Sequence, residues 1–250
     1  MSSSSPPDAP TAASLLASQA PYRGLTPYSE RDAPLFFGRE TEREIVIANL
    51  MASRLTLLYG ASGVGKTSLL RAGVAHELLA SASRNVADYG APEFVAVYFN
   101  RWSDDPLTGL TRCIHESARP FLGEVEEPEI GSRGWAETID GWTRILDADL
   151  LIILDQFEEY FLYHPDDGGE GSFAVEFPRA VDRADLRVSF LVAIREDALA
   201  RLDRFKGRIP NLFDNYLRTR HLDAAAARAA IEKPLEAYNR LVAADEPFTA

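Results

Sequence analysis

Residues 60–67 read GASGVGKT, between the apolar run RLTLLY and the stretch SLLRAGVAHELL. Three glycines, a lysine and a threonine in the order G-x-x-x-x-G-K-[ST] suit the binding of a nucleotide's phosphates. Gly60, Gly63 and Gly65 let backbone N–H groups curl around the β- and γ-phosphates, and Ala61, Ser62, Val64 and Ser68 belong to the same cofactor-binding stretch. Lys66 adds a full charge at the start of a helix whose dipole favours anions. The Thr67 hydroxyl is a ligand for Mg²⁺, which takes the rest of its shell from water and phosphate oxygens. The competing reading is a glycine-rich turn with a chance lysine. It is disfavoured because the match falls between a strand pattern and a helix pattern.

A second stretch, LLIILDQFEEY, supplies the acidic partner. A buried strand ending in Asp155 delivers a carboxylate to the crevice where open α/β sheets bind ligands, as a further holder of Mg²⁺. The competing role for Asp155 is to cap the next helix. Hydrolysis also needs a group that orients or deprotonates water. Many P-loop ATPases place glutamate directly after the metal aspartate, but Gln156 stands there, followed by Glu158 and Glu159. Residues three and four positions on return to the same side of a helical turn, so Glu158 is the first candidate and Glu159 the second. Otherwise the site binds nucleotide and turns over very slowly.

Arg195 ends the run VSFLVAIR and opens into the same crevice. Its guanidinium either contacts the γ-phosphate or the attacking water, or pairs with Glu196 or Asp197. Upstream, LFFGRE places Phe36 and Phe37 to flank an adenine beside the Gly38 backbone, with core packing as the alternative. His76, His115, His164 and His221 lack metal-ligand spacing. Cys113, the only cysteine, reads as a small buried residue of an intracellular, cytoplasmic protein.

Positioning these groups requires a scaffold. Five apolar runs, 54–59, 94–99, 149–155, 188–195 and 215–222, alternate with helical patterns, which predicts a parallel sheet with helices on both faces. Helices are expected over 41–53, 67–82 and 106–119, and an acidic loop over 123–134. Residues 1–20 form a Ser/Pro/Ala-rich arm expected to be disordered, 21–222 the nucleotide-binding core, and 223–250 the start of a helical lid or a truncated one. Acidic residues outnumber basic ones 38 to 26, for a net charge of −12, which disfavours a nucleic-acid surface. No apolar run is long enough to span a membrane.

The segments PYRGLTPYSERDAPLFFGRETE, LLYGASGVGKTSLLRAGV, LLIILDQFEEYF and FLVAIREDALARL together resemble, in order and spacing, the bacterial novel STAND NTPases, a branch of the AAA+-like signal-transduction ATPases. The resemblance covers about residues 21–240. It implies a five-stranded sheet ordered 5-1-4-3-2, a pocket closed by a helical lid, and Gly38 and Arg39 on the base side. It makes DQFEE the family's form of the metal-and-glutamate motif and Pro234 a lid proline near the nucleotide. It also implies an ATP/ADP switch that self-associates with ATP, within a larger signalling or bacterial defence protein.

The expected function is therefore an ATP-binding, slowly hydrolysing switch using Mg²⁺. Adenine is favoured because no N-K-x-D motif is present. The alternatives are a nucleotide-binding oligomerisation scaffold without significant hydrolysis and a DNA-loading ATPase of the origin-recognition kind. The acidic balance and the lack of a helix-turn-helix pattern weigh against the last.

Overall fold

Strands made mainly of apolar residues must be covered from both sides, and the first four of the five runs meet that description. The computed structural model describes residues 21–122 and 134–241. Within it, β1 (Leu55–Gly60), β2 (Phe94–Phe99), β3 (Asp149–Leu154), β4 (Val188–Arg195) and β5 (Tyr216–Arg218) form one sheet. All neighbours are parallel, in the order β2-β3-β4-β1-β5, which is 5-1-4-3-2 read from the other edge. The expected arm at 1–20, most of the acidic loop (123–133) and the tail 242–250 lie outside the described residues.

The period of two along each strand divides the core. Leu57, Val97, Phe99, Ile152, Leu154 and Phe190 face one layer, formed by α3 (Pro106–Ala118), α4 (Trp135–Leu146) and α6 (Phe173–Asp182). Leu58, Phe94, Leu151, Ile153 and Leu191 face the other, formed by α1 (Glu40–Ala52) and the long helix α2. That helix leaves the glycine-rich loop in three sections, Lys66–Ser68, a π-helical Leu69–Ala75 and His76–Tyr89. It stops at Gly90, whose φ of +84° is the left-handed geometry that closes many helices. Cys113 is buried in the first layer and accepts a hydrogen bond from Arg101.

One difference from the sequence reading has a local cause. The expected strand over 215–222 pairs only with β1, at the edge of the sheet, over three residues. The Thr219 N–H still donates to the Tyr59 carbonyl, but β1 ends one residue later at Gly60, and the Arg220 carbonyl accepts a hydrogen bond from Arg39 instead. The final helix, α7 (Ala224–Leu241), starts where Asp223 accepts a hydrogen bond from the Ala226 N–H, an N-cap that fixes its first turn.

The carboxyl end of the sheet rests on an aromatic cluster. Trp102 is fully buried, makes edge contacts with Phe99, Phe157, Tyr160 and Phe173, and donates its indole N–H to the Asp155 carbonyl at 2.7 Å. Trp102→Ala is expected to lower the unfolding free energy by about 3–5 kcal/mol, read as a lower urea midpoint. A loss below about 1 kcal/mol would show that the cluster does not hold this end of the sheet.

Candidate nucleotide site

The pairing register decides which residues meet. Gly60 lies opposite Arg195, and Leu154 lies opposite Val192, so β1, β3 and β4 finish at the same end. A cavity of about 370 Å³ opens there. It is lined by Ser62, Gly63, Gly65, Lys66, Thr67 and Ser68 from the loop, by Asp155, Gln156 and Glu158 after β3, and by Arg195. Lys66 and Asp155, 89 positions apart by their numbers, therefore share one wall system.

Within the loop, Gly63 (φ +72°) and Gly65 (φ +95°) occupy left-handed backbone conformations that disfavour a side chain. At Gly60 the need is spatial, because a Cβ would lie 2.6 Å from the Thr219 carbonyl oxygen. The Lys66 ammonium donates to the Gly60 and Ala61 carbonyls at 2.9 and 3.1 Å. Burial pulls its pKa below the ordinary lysine range, an effect opposed by the nearby Glu158 and Asp155 carboxylates.

Asp155 is almost fully buried, and both its oxygens are engaged. Oδ2 accepts from the Tyr98 hydroxyl and Oδ1 from the Gln156 N–H, each at 2.8 Å. The next residue, Gln156, takes φ +54°, which is unusual for a side-chain-bearing residue. The chain turns sharply there, and Glu158 comes back to the strand ends, its Oε2 accepting the Arg195 N–H at 3.1 Å. Glu158 lines the cavity. Glu159 instead accepts from the Gln156 amide at 3.3 Å and is not among the lining residues. Burial, then Glu158 and Asp155, raise the pKa of Glu159. The Arg195 guanidinium forms a two-pronged pair with Asp197, at 3.0 and 2.6 Å, on the cavity rim.

The expected base-side residues lie elsewhere. Phe36 packs on Tyr28 and in the α2 layer, with its ring against Gly73. Phe37 faces the Lys233 ammonium of α7. Gly38 and Arg39 line a neighbouring cavity of about 550 Å³, between α1, the end of β5 and the start of α7. Arg39 is buried, pairs with Glu42 and donates to the Val64 carbonyl at 2.6 Å and the Arg220 carbonyl at 3.0 Å. It thus ties the back of the loop to the segment that leads into α7. Pro234 is buried on α7, four residues before Tyr238, which packs on Leu35. Neither Phe37 nor Pro234 lines the phosphate-loop cavity.

The residues alone did not single out two further contributors. Gly24–Tyr28 cross the mouth of the cavity as its remaining wall, with the Tyr28 N–H donating to the Ser68 hydroxyl at 3.1 Å. Tyr98 was hidden inside an apolar strand. Its one signal was a phenol in a buried run, which needs a partner for its hydroxyl.

Among the described residues, no cluster of three or more His, Cys, Asp or Glu side chains could hold a metal by itself. One carboxylate and one hydroxyl suit Mg²⁺ carried on a nucleotide, which keeps most of its shell from phosphate and water. Each Asp155 oxygen, having accepted one bond, retains a second lone-pair site for such an ion.

A parallel sheet with a GxxxxGKT loop after β1 and a buried carboxylate after β3 defines the chain as a P-loop NTPase. The fold is similar to that of the Aeropyrum pernix ORC2 protein in its ADPNP–ADP complexes (TM-score 0.53, 18% identity, 81% of this chain and 52% of that one). It is also similar to the A. pernix ORC1 protein in complex with DNA (0.51, 21%, 80% and 50%) and to a Walker-type ATPase of Pyrococcus abyssi (0.57, 15%, 90% and 63%). The chain thus spans between half and just under two thirds of the length of these structures. No curated protein matches it. Residues 21–246 match the model of the Novel STAND NTPase 1 family, and the chain belongs to that family as an NTPase nucleotide-binding domain. Among the described residues, no helix is long and apolar enough to cross a membrane.

The seat of α7 makes a sharp demand. Gly38 has φ +87°, and a Cβ there would lie 2.4 Å from the Ala226 carbonyl oxygen and 3.3 Å from the Ala230 methyl. Gly38→Ala is expected to unseat α7 and destabilise the fold by roughly 1–2 kcal/mol from backbone strain alone. Thermal unfolding and limited proteolysis of residues 224–241 would check this, and unchanged protection of α7 would contradict it.

Proposed function

We propose that this chain is an ATP-binding, slowly hydrolysing molecular switch of the STAND type, the nucleotide-binding part of a larger signalling or bacterial defence protein. The observation that carries the reading is the meeting of Lys66, Thr67, Asp155, Glu158 and Arg195 around one cavity. In this proposal the N–H groups from Gly63 to Ser68 and the Lys66 ammonium bind the β- and γ-phosphates. Thr67 and Asp155 hold Mg²⁺, which when bound neutralises developing charge on the phosphate oxygens. Glu158 accepts a proton from water as the water oxygen bonds to the γ-phosphorus and the bond to the bridging β,γ-oxygen breaks, releasing ADP. Glu158 is preferred to Glu159 because it lines the cavity. Arg195, released from Asp197, steadies the γ-phosphate. The lid on Gly38 and the Arg39 link to the loop would carry the nucleotide state outward, with self-association in the ATP state.

Lys66→Ala is expected to abolish ATP binding. Glu158→Gln should retain binding and lose about 10²–10⁴-fold in turnover, whereas Glu159→Gln should lose much less. Single-turnover hydrolysis with labelled ATP, alongside binding of a fluorescent ATP analogue, separates these outcomes. Full activity in Lys66→Ala would refute the site. Binding with no turnover in the unmodified protein would favour the scaffold reading, for which Gln156 at the usual glutamate position is the motive.

A further inference from the structure

Tyr98 stands on β2 opposite Ile153 of β3, so its side chain shares the sheet face on which Asp155 follows two residues later. Its hydroxyl donates to Asp155 Oδ2 at 2.8 Å. With that bond made, Tyr98 fixes which lone pairs of Asp155 stay open. The ring is itself gripped. The Arg71 guanidinium, from the π-helical part of α2, lies over it at 5.5 Å. Arg71 is anchored by two hydrogen bonds to Glu30, at 3.1 and 2.8 Å, in the 3-10 segment Glu30–Leu35 that follows the Gly24–Tyr28 wall. A chain of contacts thus runs from the segment closing the cavity to the carboxylate inside it.

We propose that Tyr98 is a positioning residue that orients the Asp155 carboxylate toward a nucleotide-borne divalent cation, and that Arg71, held by Glu30, keeps the Tyr98 ring in register. The proposal rests on the nucleotide-site reading above. Without the hydroxyl, Asp155 rotates about its side-chain bonds and presents a poorer ligand, while the loop and Lys66 still hold phosphate. The effect therefore falls on cation affinity and not on metal-free nucleotide affinity. Groups that orient a metal ligand typically contribute 10–100-fold in metal affinity.

The test measures Mn²⁺ binding by electron paramagnetic resonance in the presence of saturating ADP, and ADP binding in EDTA by calorimetry. It compares the unmodified chain with Tyr98→Phe, Arg71→Gln and Asp155→Asn. Tyr98→Phe is expected to weaken Mn²⁺ binding about tenfold with ADP affinity in EDTA unchanged. Arg71→Gln, which keeps the hydroxyl, should weaken it by a smaller factor, and Asp155→Asn should weaken it most. Unchanged Mn²⁺ affinity in Tyr98→Phe, with loss in Asp155→Asn, would overturn the positioning role and leave the nucleotide site standing. Should Tyr98→Phe fail to fold, unchanged Mn²⁺ affinity in Arg71→Gln would overturn it equally. Failure of the unmodified chain to bind ADP at all would overturn the underlying reading, and the proposal with it.

Discussion

A carboxylate with 1% of its surface exposed is the constraint around which this end of the molecule is built. Burying an unpaired charge costs several kcal/mol, so Asp155 needs donors, and its neighbours are shaped to provide them. One donor is the Gln156 N–H, within the left-handed turn that departs from the sheet. The second, Tyr98, comes from the adjacent strand. The indole of Trp102 meanwhile fixes the Asp155 carbonyl from the opposite layer. The same turn that satisfies Asp155 brings Glu158 onto the Arg195 N–H, at the mouth of the cavity. Carboxylate burial, backbone strain and placement of the second acid are therefore one arrangement, and changing one of them moves the others.

The sheet order explains why the cavity forms where it does. From β1 the chain passes through α2 to the edge strand β2 and returns through β3 to β4, which pairs with β1. The loop after β1 and the turn after β3 are thereby separated by only the end of β4, whose last residue is Arg195. Ligand crevices of open α/β sheets lie at such reversals, outside the carboxyl ends of the strands.

Much of this was legible in the residues. The glycine-rich loop announced itself because glycine and lysine at fixed spacing are required by phosphate chemistry, and the strands because burial on two faces leaves few polar residues in them. The strand order came from the family resemblance and not from periodicity. What could not be read were contacts fixed only by tertiary packing. Tyr98 looks like any strand aromatic until β2 is set beside β3. Phe36 and Phe37 look like a pair in sequence, while their contacts, to Tyr28 and to Lys233, come from packing. The Arg195–Asp197 pair was visible as an alternative, since the two lie two positions apart, but not the choice between partners. Arg39 is a further case: the family resemblance implies a base-side role, and only packing adds that its guanidinium spans from Val64 to Arg220, 25 and 181 positions away. The β5 strand is shorter than its sequence pattern because its one partner, β1, ends at Gly60.

For the proposed switch, the wiring of the lid limits where the driving energy can arise. Gly38 meets Ala226 and Ala230, Leu35 packs on Tyr238, and the Tyr22 hydroxyl donates to the Ile231 carbonyl at 2.7 Å. These partners all lie in residues 22–38, the segment that also forms the cavity wall and grips α2. The lid thus rests on the wall. Moving a two-state equilibrium from 1:99 to 99:1 takes about 5.5 kcal/mol of differential binding. The Glu30–Arg71 pair, with both side chains about one third exposed, falls far short, since such pairs contribute about 0–1 kcal/mol. Hydrogen bonds to charged groups contribute about 1.5–3 kcal/mol each, so two or three phosphate contacts inside the cavity reach the required sum. The wall therefore transmits the bias, and the phosphate contacts must generate it.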